Sequence, residues 1–557
     1  MFRALPCQMR ITFRFLLLVL CVGTCAHAES APPHLRVQGT ATQLIVDGRP
    51  LLIRGGEINN SSATNPAYLE PSWERFKALN LNTLIVPVYW DLIEPQEGQF
   101  DFSTVDRLLA QARDNRMHLV LLWFGSWKNS MSCYAPAWIK VDPKRFPRAG
   151  DPSGARLEIL SPFSIENLRA DAKAFGTLLR HLRDADGTQQ TVVMVQVENE
   201  IGMIPAARDH CPEADRAFAG PVPGELMDYL TAHAEHLTTE LKATWSAAGG
   251  KRAGTWAEVF GADPAGEEIF MAWYFARYTD AVAAAGKKEY PLPLYVNAAL
   301  IRPGHQPGQY PSGGPLPHLM DVWHAGAPAI DLLAPDIYFQ NFTEWARRYK
   351  RPGNPLFIPE AVRGPNASVN GLYAFGAHDA IGFSPFAIES IGDPAGKYLA
   401  ASFDLIAQLE PLILAHQGNG SMAGLLSEGP EQRQPQLVRL GNYVLSATFE
   451  RGAPPNLADG VIVPAANSGT VPAYPSGGLV IELGPGEFIV AGTALVITFA
   501  SVEPGLNAGI LSAEEGRFVN GEWQNILSLG GDQTHQGRHV RLEPGRFSIQ
   551  RVKLYRY

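Results

Sequence analysis

The feature that most constrains this chain is an alternation repeated eight times between residues 40 and 415. Each repeat has a short apolar run, a polar or aromatic cluster, and a stretch with helical spacing. The apolar runs cover residues 51–53, 82–88, 118–124, 191–197, 294–296, 332–337, 356–359 and 380–386. Between them, Trp73, Phe76 and Leu79, then Val105, Leu108, Leu109 and Ala112, recur at the spacing of one helix face. Stretches 168–182 and 226–241 do the same. Eight strand–helix units in series predict an α/β fold, a (β/α)8 TIM barrel over residues 29–420. An open doubly wound sheet would carry a glycine-rich phosphate loop after its first strand. The first run instead ends in Arg54-Gly55-Gly56-Glu57, which is not that fingerprint. An insertion is expected after the fourth strand, at about residues 201–222.

The pattern changes at Gln417-Gly418-Asn419-Gly420, a turn-rich break. Beyond it, residues 478–483, 487–490, 494–499, 547–549 and 552–555 alternate with period two and are separated by Gly and Pro. Residues 425–557 are therefore expected to form an all-β, sandwich-like C-terminal domain. At the other end, Arg3, Arg10 and Arg14 flank an apolar run over 15–25 that leads to Ala26-His27-Ala28. That pattern reads as a signal peptide over 1–28 and predicts an exported protein, periplasmic or secreted; a lipid anchor on Cys25 is the alternative. The run is too short to cross a bilayer, and no later segment reads as a membrane span. The chain is 46% apolar and 18% charged, which excludes a disordered polypeptide. Its net charge of −9 leaves no basic surplus for a phosphate backbone, so no nucleic-acid partner is expected. Cys133 and Cys211 are the cysteines outside the signal; in an exported chain they form a possible disulfide, with free thiols as the alternative.

In a barrel of this kind, chemistry gathers at the C-terminal ends of the strands. The fourth strand runs from Val193 into Glu198-Asn199-Glu200, and the seventh runs through Leu356-Phe357-Ile358-Pro359 into Glu360. A buried strand ending in acid, amide and acid is costly unless those groups have partners or a function. Strands four and seven lie across the mouth from each other, so their tips can face one substrate. Two facing carboxyls are what glycoside hydrolysis requires, one protonated as acid and one ionised as nucleophile or base. Repulsion and burial separate their pKa values. Glu57, Trp127, Asn129 and Asn297 also stand at strand tips and are candidates for lining the sugar site. Trp123 reads as core, Glu94 as a tie for the second loop, and Glu198 as a partner for neighbouring strands. With no Walker, dinucleotide or zinc-protease motif, no cofactor and no metal is implied.

The segment Trp90-Asp91-Leu92-Ile93-Glu94-Pro95, continuing to Phe102, resembles the second-strand motif of glycoside hydrolase family 35 β-galactosidases. Gln196-Val197-Glu198-Asn199-Glu200-Ile201-Gly202 is similar to that family's acid/base motif, with Ile201 where Tyr is usual. The resemblance covers most of residues 40–415. The C-terminal part looks like the small β-domain of some bacterial members, including ones that trim galactose from xyloglucan. The resemblance implies Glu200 as general acid/base, Asn199 as the ligand of the sugar 2-hydroxyl, Glu360 as nucleophile and Tyr338 as the group that orients it. It implies double displacement with retention, without a cofactor, on a neutral galactose-containing oligosaccharide. The two carboxyls should then stand about 5–5.5 Å apart. Three tips depart from the family pattern: Gly55-Gly56-Glu57 at strand one, Pro87 at strand two, and Gly125-Ser126-Trp127-Lys128-Asn129 at strand three, where Asn129 takes the place of a Glu. These positions normally contact galactose, so a family-42-like galactosidase or another retaining barrel glycosidase is the alternative. A non-catalytic carbohydrate-binding barrel would lack a carboxylate that this chain has.

Overall fold

The computed structural model describes Met1 and residues 31–429, 434–450 and 474–557, with the backbone of 456–458 and 461–463. The expected signal segment after Met1 lies outside the described residues. Eight parallel strands close into a barrel: β1 (Ile53–Glu57), β2 (Thr83–Tyr89), β3 (His118–Lys128), β4 (Val192–Asn199), β5 (Leu294–Ala299), β6 (Leu332–Ile337), β7 (Phe357–Ala361) and β8 (Gly382–Pro385). Their order around the barrel is the order of the chain, and each overlaps one of the predicted runs. Strands covered on both faces need continuous apolar runs rather than alternation. Every residue of β2 is accordingly buried. Pro87 lies beyond Ile85, the last residue of β2 paired with β1, where a missing amide proton leaves no gap in that ladder.

Gly55 and Gly56 set how closely β1 meets its surroundings. A Cβ on Gly55 would lie 2.0 Å from Ser384 Oγ, and one on Gly56 would lie 2.7 Å from Ile388. Their bare backbones let the tip of β1, Glu57, draw in toward the barrel mouth.

The outer helices follow from amphipathic segments with defined starts. Ile165–Asp186 begins at Ser164, whose side chain accepts from Asn167 N, and Pro264–Glu289 begins at Asp263 with Pro at its first position. The insertion after β4 is longer than expected. It contains the helices Pro212–Phe218, Gly224–Ala232, Thr239–Ala247 and Trp256–Phe260 before the barrel resumes. The single helix expected over 226–241 is split between two of these, because Asp321 Oδ2 pins Thr238 N at 2.8 Å and fixes a turn there. Helix Ala395–His416 corrects another expectation: with a mean hydropathy of 1.3 it is long and apolar enough to cross a membrane. In the structure it is the last barrel helix, with Leu399, Phe403, Ile406, Leu409 and Ile413 buried.

The C-terminal region forms two antiparallel sheets. One has six strands in the order Met422–Leu426, Gly477–Gly484, Glu487–Thr493, Ser548–Arg556, Ala508–Val519 and Glu522–Ser528. The other has four, in the order Gln436–Leu440, Tyr443–Phe449, Leu495–Ser501 and His539–Leu542. A core of Leu445, Val480, Phe488, Val490, Ile497, Val540 and Val552 fills the space between them. Along Gly477–Gly484 the period-two rule sends Val480 into that core, while Leu479 and Ile481 join the barrel's own core. Helix Ala367–His378 lies directly on this sheet. A Cβ on Gly376 would stand 2.7 Å from Ala423 O, and one on Gly424 would stand 2.5 Å from Tyr373 O.

The possible disulfide does not form: Cys133 and Cys211 are buried free thiols. Each sulfur has its own task. Cys133 Sγ donates to Glu158 O at 3.4 Å, and Cys211 caps the helix Pro212–Phe218, its Sγ accepting from Ala214 N at 3.5 Å.

Candidate active site

The site begins with a mismatch between two strands. From Val120 to Trp123, β3 pairs in step with Met194 to Val197 of β4, and pairing resumes only between Lys128 and Asn199. The extra residues make a bulge at the end of β3. Opposite it, Glu198 and Glu200 hold left-handed backbones, with φ of 61° and 45°. Such a conformation costs a non-glycine residue about 1 kcal/mol or more unless the surroundings enforce it. Here they do: Trp127 N donates to Glu198 Oε2 at 2.8 Å, Glu200 N to Asn297 Oδ1 at 2.9 Å, and Ser130 Oγ to Glu200 O at 3.1 Å. The strained tip breaks strand alternation, so the successive side chains of Asn199 and Glu200 both reach Lys128. Lys128 Nζ donates to Asn199 Oδ1 at 2.8 Å and stands 4.0 Å from Glu200 Oε2.

Glu200, Asp336 and Glu360 each place a carboxylate oxygen within 4.8 Å of the others, and all three are buried. One oxygen of Glu200 and one of Glu360 thus approach within 4.8 Å, closer than the roughly 6.5–9.5 Å that leaves room for an attacking water. Asn129 Nδ2 donates to Glu200 Oε2, and Tyr338 OH donates to Glu360 Oε1. Asn297 Nδ2 donates to Asp336 Oδ2 at 2.7 Å. The three acids are near enough to share one cation, but each faces a protein donor and Lys128 supplies local positive charge. Buried and without a hydrogen-bond partner among the described residues are Asn199 Nδ2 and one oxygen each of Glu57, Asp336 and Glu360. Buried polar atoms left open are expensive; in a cleft they mark where hydroxyls of a ligand would bond.

The environment separates the two catalytic candidates. Burial, then the charge of Glu360, pushes the Glu200 carboxyl up to about 7, against the pull of Lys128, a hydrogen bond with Asp336 and the Arg302 charge. Burial also raises Glu360, but Lys128 and hydrogen bonds from Tyr338 and Glu57 hold it down. Near neutrality Glu200 can carry a proton while Glu360 stays ionised, the division of labour that acid and nucleophile need. Asp336 and Glu57 are raised well above the carboxylate range, by burial first and then by Glu360.

A stability effect follows. Because folding raises the Glu200 pKa from 4.5 to about 7, its contribution is fully present below pH 4.5 and is lost as pH rises toward 7. A Glu200→Gln variant has no charge to bury. It should melt a few degrees higher than the parent at pH 8, reflecting about 3 kcal/mol, and the gap should close toward pH 4.5. Melting temperatures at both pH values check this.

Four of the expected site residues converge as expected: Glu200, Glu360, Asn199 and Tyr338, with Asn129 on the acid itself. Glu57 also converges, but onto Glu360. Trp127 does not serve as a sugar platform. It is fully buried, its ring set edge-on against Phe275 and Tyr278, and its backbone holds Glu198. Asn297 is likewise a support, its amide oxygen on Glu200 N and its nitrogen on Asp336. Glu94 ties the second loop as read, accepting from Trp90 Nε1 and Gly98 N at 2.8 Å each. Lys128 and Asp336 were missed. Their signal was a charge inside a strand tip, in Trp127-Lys128-Asn129 and in Pro335-Asp336-Ile337.

The fold and the paired carboxyls have the form that a retaining barrel glycosidase requires. Residues 64–273 match the glycoside hydrolase family 42 profile, described as beta-galactosidase, and residues 399–541 match a domain of unknown function, DUF5597. The chain thus carries a domain similar to glycoside hydrolases, and the matching profile is of the family-42 kind that the departures at strands one to three kept open. A beta-galactosidase of Xanthomonas manihotis is 30% identical over 207 residues, 36% of this chain and 31% of that protein. The chain therefore spans about a third of the length of that relative. Among solved structures, beta-galactosidases of Rahnella sp. R3 and of Bacillus circulans sp. alkalophilus are each 16% identical over 65% of this chain and 57% of theirs, with TM-scores of 0.44 and 0.45.

Proposed function

We propose that this protein is an exported, exo-acting retaining β-galactosidase that removes terminal β-linked galactose from neutral oligosaccharides, with galactosylated plant-wall fragments such as xyloglucan as the substrate class. The observation that carries the reading is the approach of Glu200 and Glu360 within 4.8 Å at the tips of β4 and β7. Glu360, ionised and steadied by Tyr338, attacks the anomeric carbon as Glu200 protonates the departing oxygen. Glu200, then ionised, takes a proton from water, which cleaves the glycosyl ester and restores Glu360. Asn199 Nδ2, unpartnered among the described residues, is the group for the 2-hydroxyl. The galactose preference is supported by the family match over residues 64–273 and by the name of the Xanthomonas relative. Within β-galactosidases that match favours the family-42 kind.

A panel of 4-nitrophenyl β-glycosides tests the sugar, and release of galactose from xyloglucan oligosaccharides against lactose tests the leaving group. The β-galactoside should exceed the β-glucoside and the α-arabinoside by about tenfold or more in kcat/KM, the discrimination of one well-placed hydroxyl. A panel led by another sugar would reassign the substrate and keep the mechanism.

A further inference from the structure

Glu57 is an acid that the two-carboxylate reaction does not require. It comes from β1, two places around the barrel from β7, and reaches the nucleophile because Gly55 and Gly56 let its strand pack close. Glu57 is 1% exposed, and its carboxyl contacts the Glu360 carboxyl. Glu57 Oε1 and Glu360 Oε2 are both buried and accept nothing from any N–H or O–H of the described residues. Two ionised carboxylates in that position would repel each other and leave both oxygens unsatisfied. One proton between them resolves both problems. Glu360 already accepts from Tyr338, which favours its anion, whereas Glu57 Oε1 has no donor among the described residues. The charged and titratable groups around Glu57 are Glu360 on β7, Lys128 on β3, Glu200 after β4, Tyr295 on β5, and Asp336 and Tyr338 on and after β6. Lys128, the cation among them, is bonded to Asn199 rather than to Glu57.

We propose that Glu57 is a positioning residue for the nucleophile: its carboxyl keeps a proton and donates it in a hydrogen bond to Glu360. The pair then carries a single negative charge. One Glu360 oxygen is held by Tyr338 and Glu57 fixes the carboxylate plane, which aims the attacking oxygen at the sugar. The inference rests on the assignment of Glu360 as nucleophile in the proposed function.

The test compares Glu57→Ala and Glu57→Gln in the full chain on 4-nitrophenyl β-galactoside. Alanine removes the donor and should lower kcat by about 100-fold with KM little changed, the usual cost of one preorganised donor. Glutamine donates through its amide but cannot ionise, and should recover most of that loss. A glutamine variant as slow as the alanine variant would mean that an ionised Glu57 is needed, and a rise in KM alone would make it a plain sugar contact. Either result overturns the proposal. Infrared spectroscopy gives a readout independent of turnover: at pH 7, the parent-minus-Glu57→Gln difference spectrum should contain a protonated-carboxyl band. A difference confined to carboxylate bands would also overturn it. If the parent cleaves no glycoside, the functional reading fails, and the infrared result still decides whether Glu57 holds the proton.

Discussion

Glu360→Ala should lower turnover of a 4-nitrophenyl β-galactoside by about 10⁴-fold or more, close to 5.5 kcal/mol at the barrier, and azide should restore it. Glu360 is the next-to-last residue of a strand whose every residue is buried, and its carboxyl lies among Tyr338, Glu57, Asp336 and Glu200. Truncation leaves the anomeric carbon without a nucleophile and opens a small polar space beside Tyr338. Azide, a compact anion, can enter it from the face Glu360 occupied. Since a single displacement inverts, the product should be a glycosyl azide of configuration opposite to the substrate. Product analysis by NMR reads the anomer. Ordinary activity in the variant would remove Glu360 from the chemistry, and rescue with retained configuration would place the nucleophile elsewhere.

The second large effect concerns Glu200. With its carboxyl at about 7 in the free protein, kcat/KM should fall about tenfold per pH unit above 7, because the acid required for departure of the aglycone is lost. Glu200→Gln should abolish that limb. It should also slow cleavage of alkyl galactosides, which need protonation, by about 10³-fold, while leaving formation of the glycosyl-enzyme from dinitrophenyl galactoside nearly intact. Pre-steady-state bursts separate the two steps. An alkaline limb unchanged in Glu200→Gln would assign the titration to another group.

The barrel was legible because its signal is local: eight short apolar runs, each with both faces covered, separated by helices with regular spacing. The acids at the tips of β4 and β7 were legible for the same reason, since a charge at the end of a buried strand stands out. Lys128 and Asp336 were not, although Lys128 sits in the strand-three tip and Asp336 in the sixth apolar run. Whether Lys128 points inward depends on the bulge between Trp123 and Lys128, which exists only once β3 meets β4. Asp336 acquires its meaning from register, directly opposite Glu360 on the neighbouring strand. Trp127 and Asn297 were misread because position at a tip does not reveal which side a residue takes. The bulge turns one into the core, and a backbone amide engages the other. The disulfide failed for a similar reason: two cysteines on adjacent loops suggest a pair, but hydrogen bonding to Glu158 and the capping of a helix occupy the two sulfurs separately.

The alternation along Gly477–Gly484 has a reach beyond its own sheet. Because Leu479 and Ile481 are shared with the barrel while Val480 is shared with the second sheet, neither half keeps a finished surface without the other. The tail is therefore not a bead on a string that could be clipped away or exchanged between homologues. Cutting it off would strip greasy cover from Ala367–His378 and Ala395–His416, two of the staves that brace the catalytic mouth.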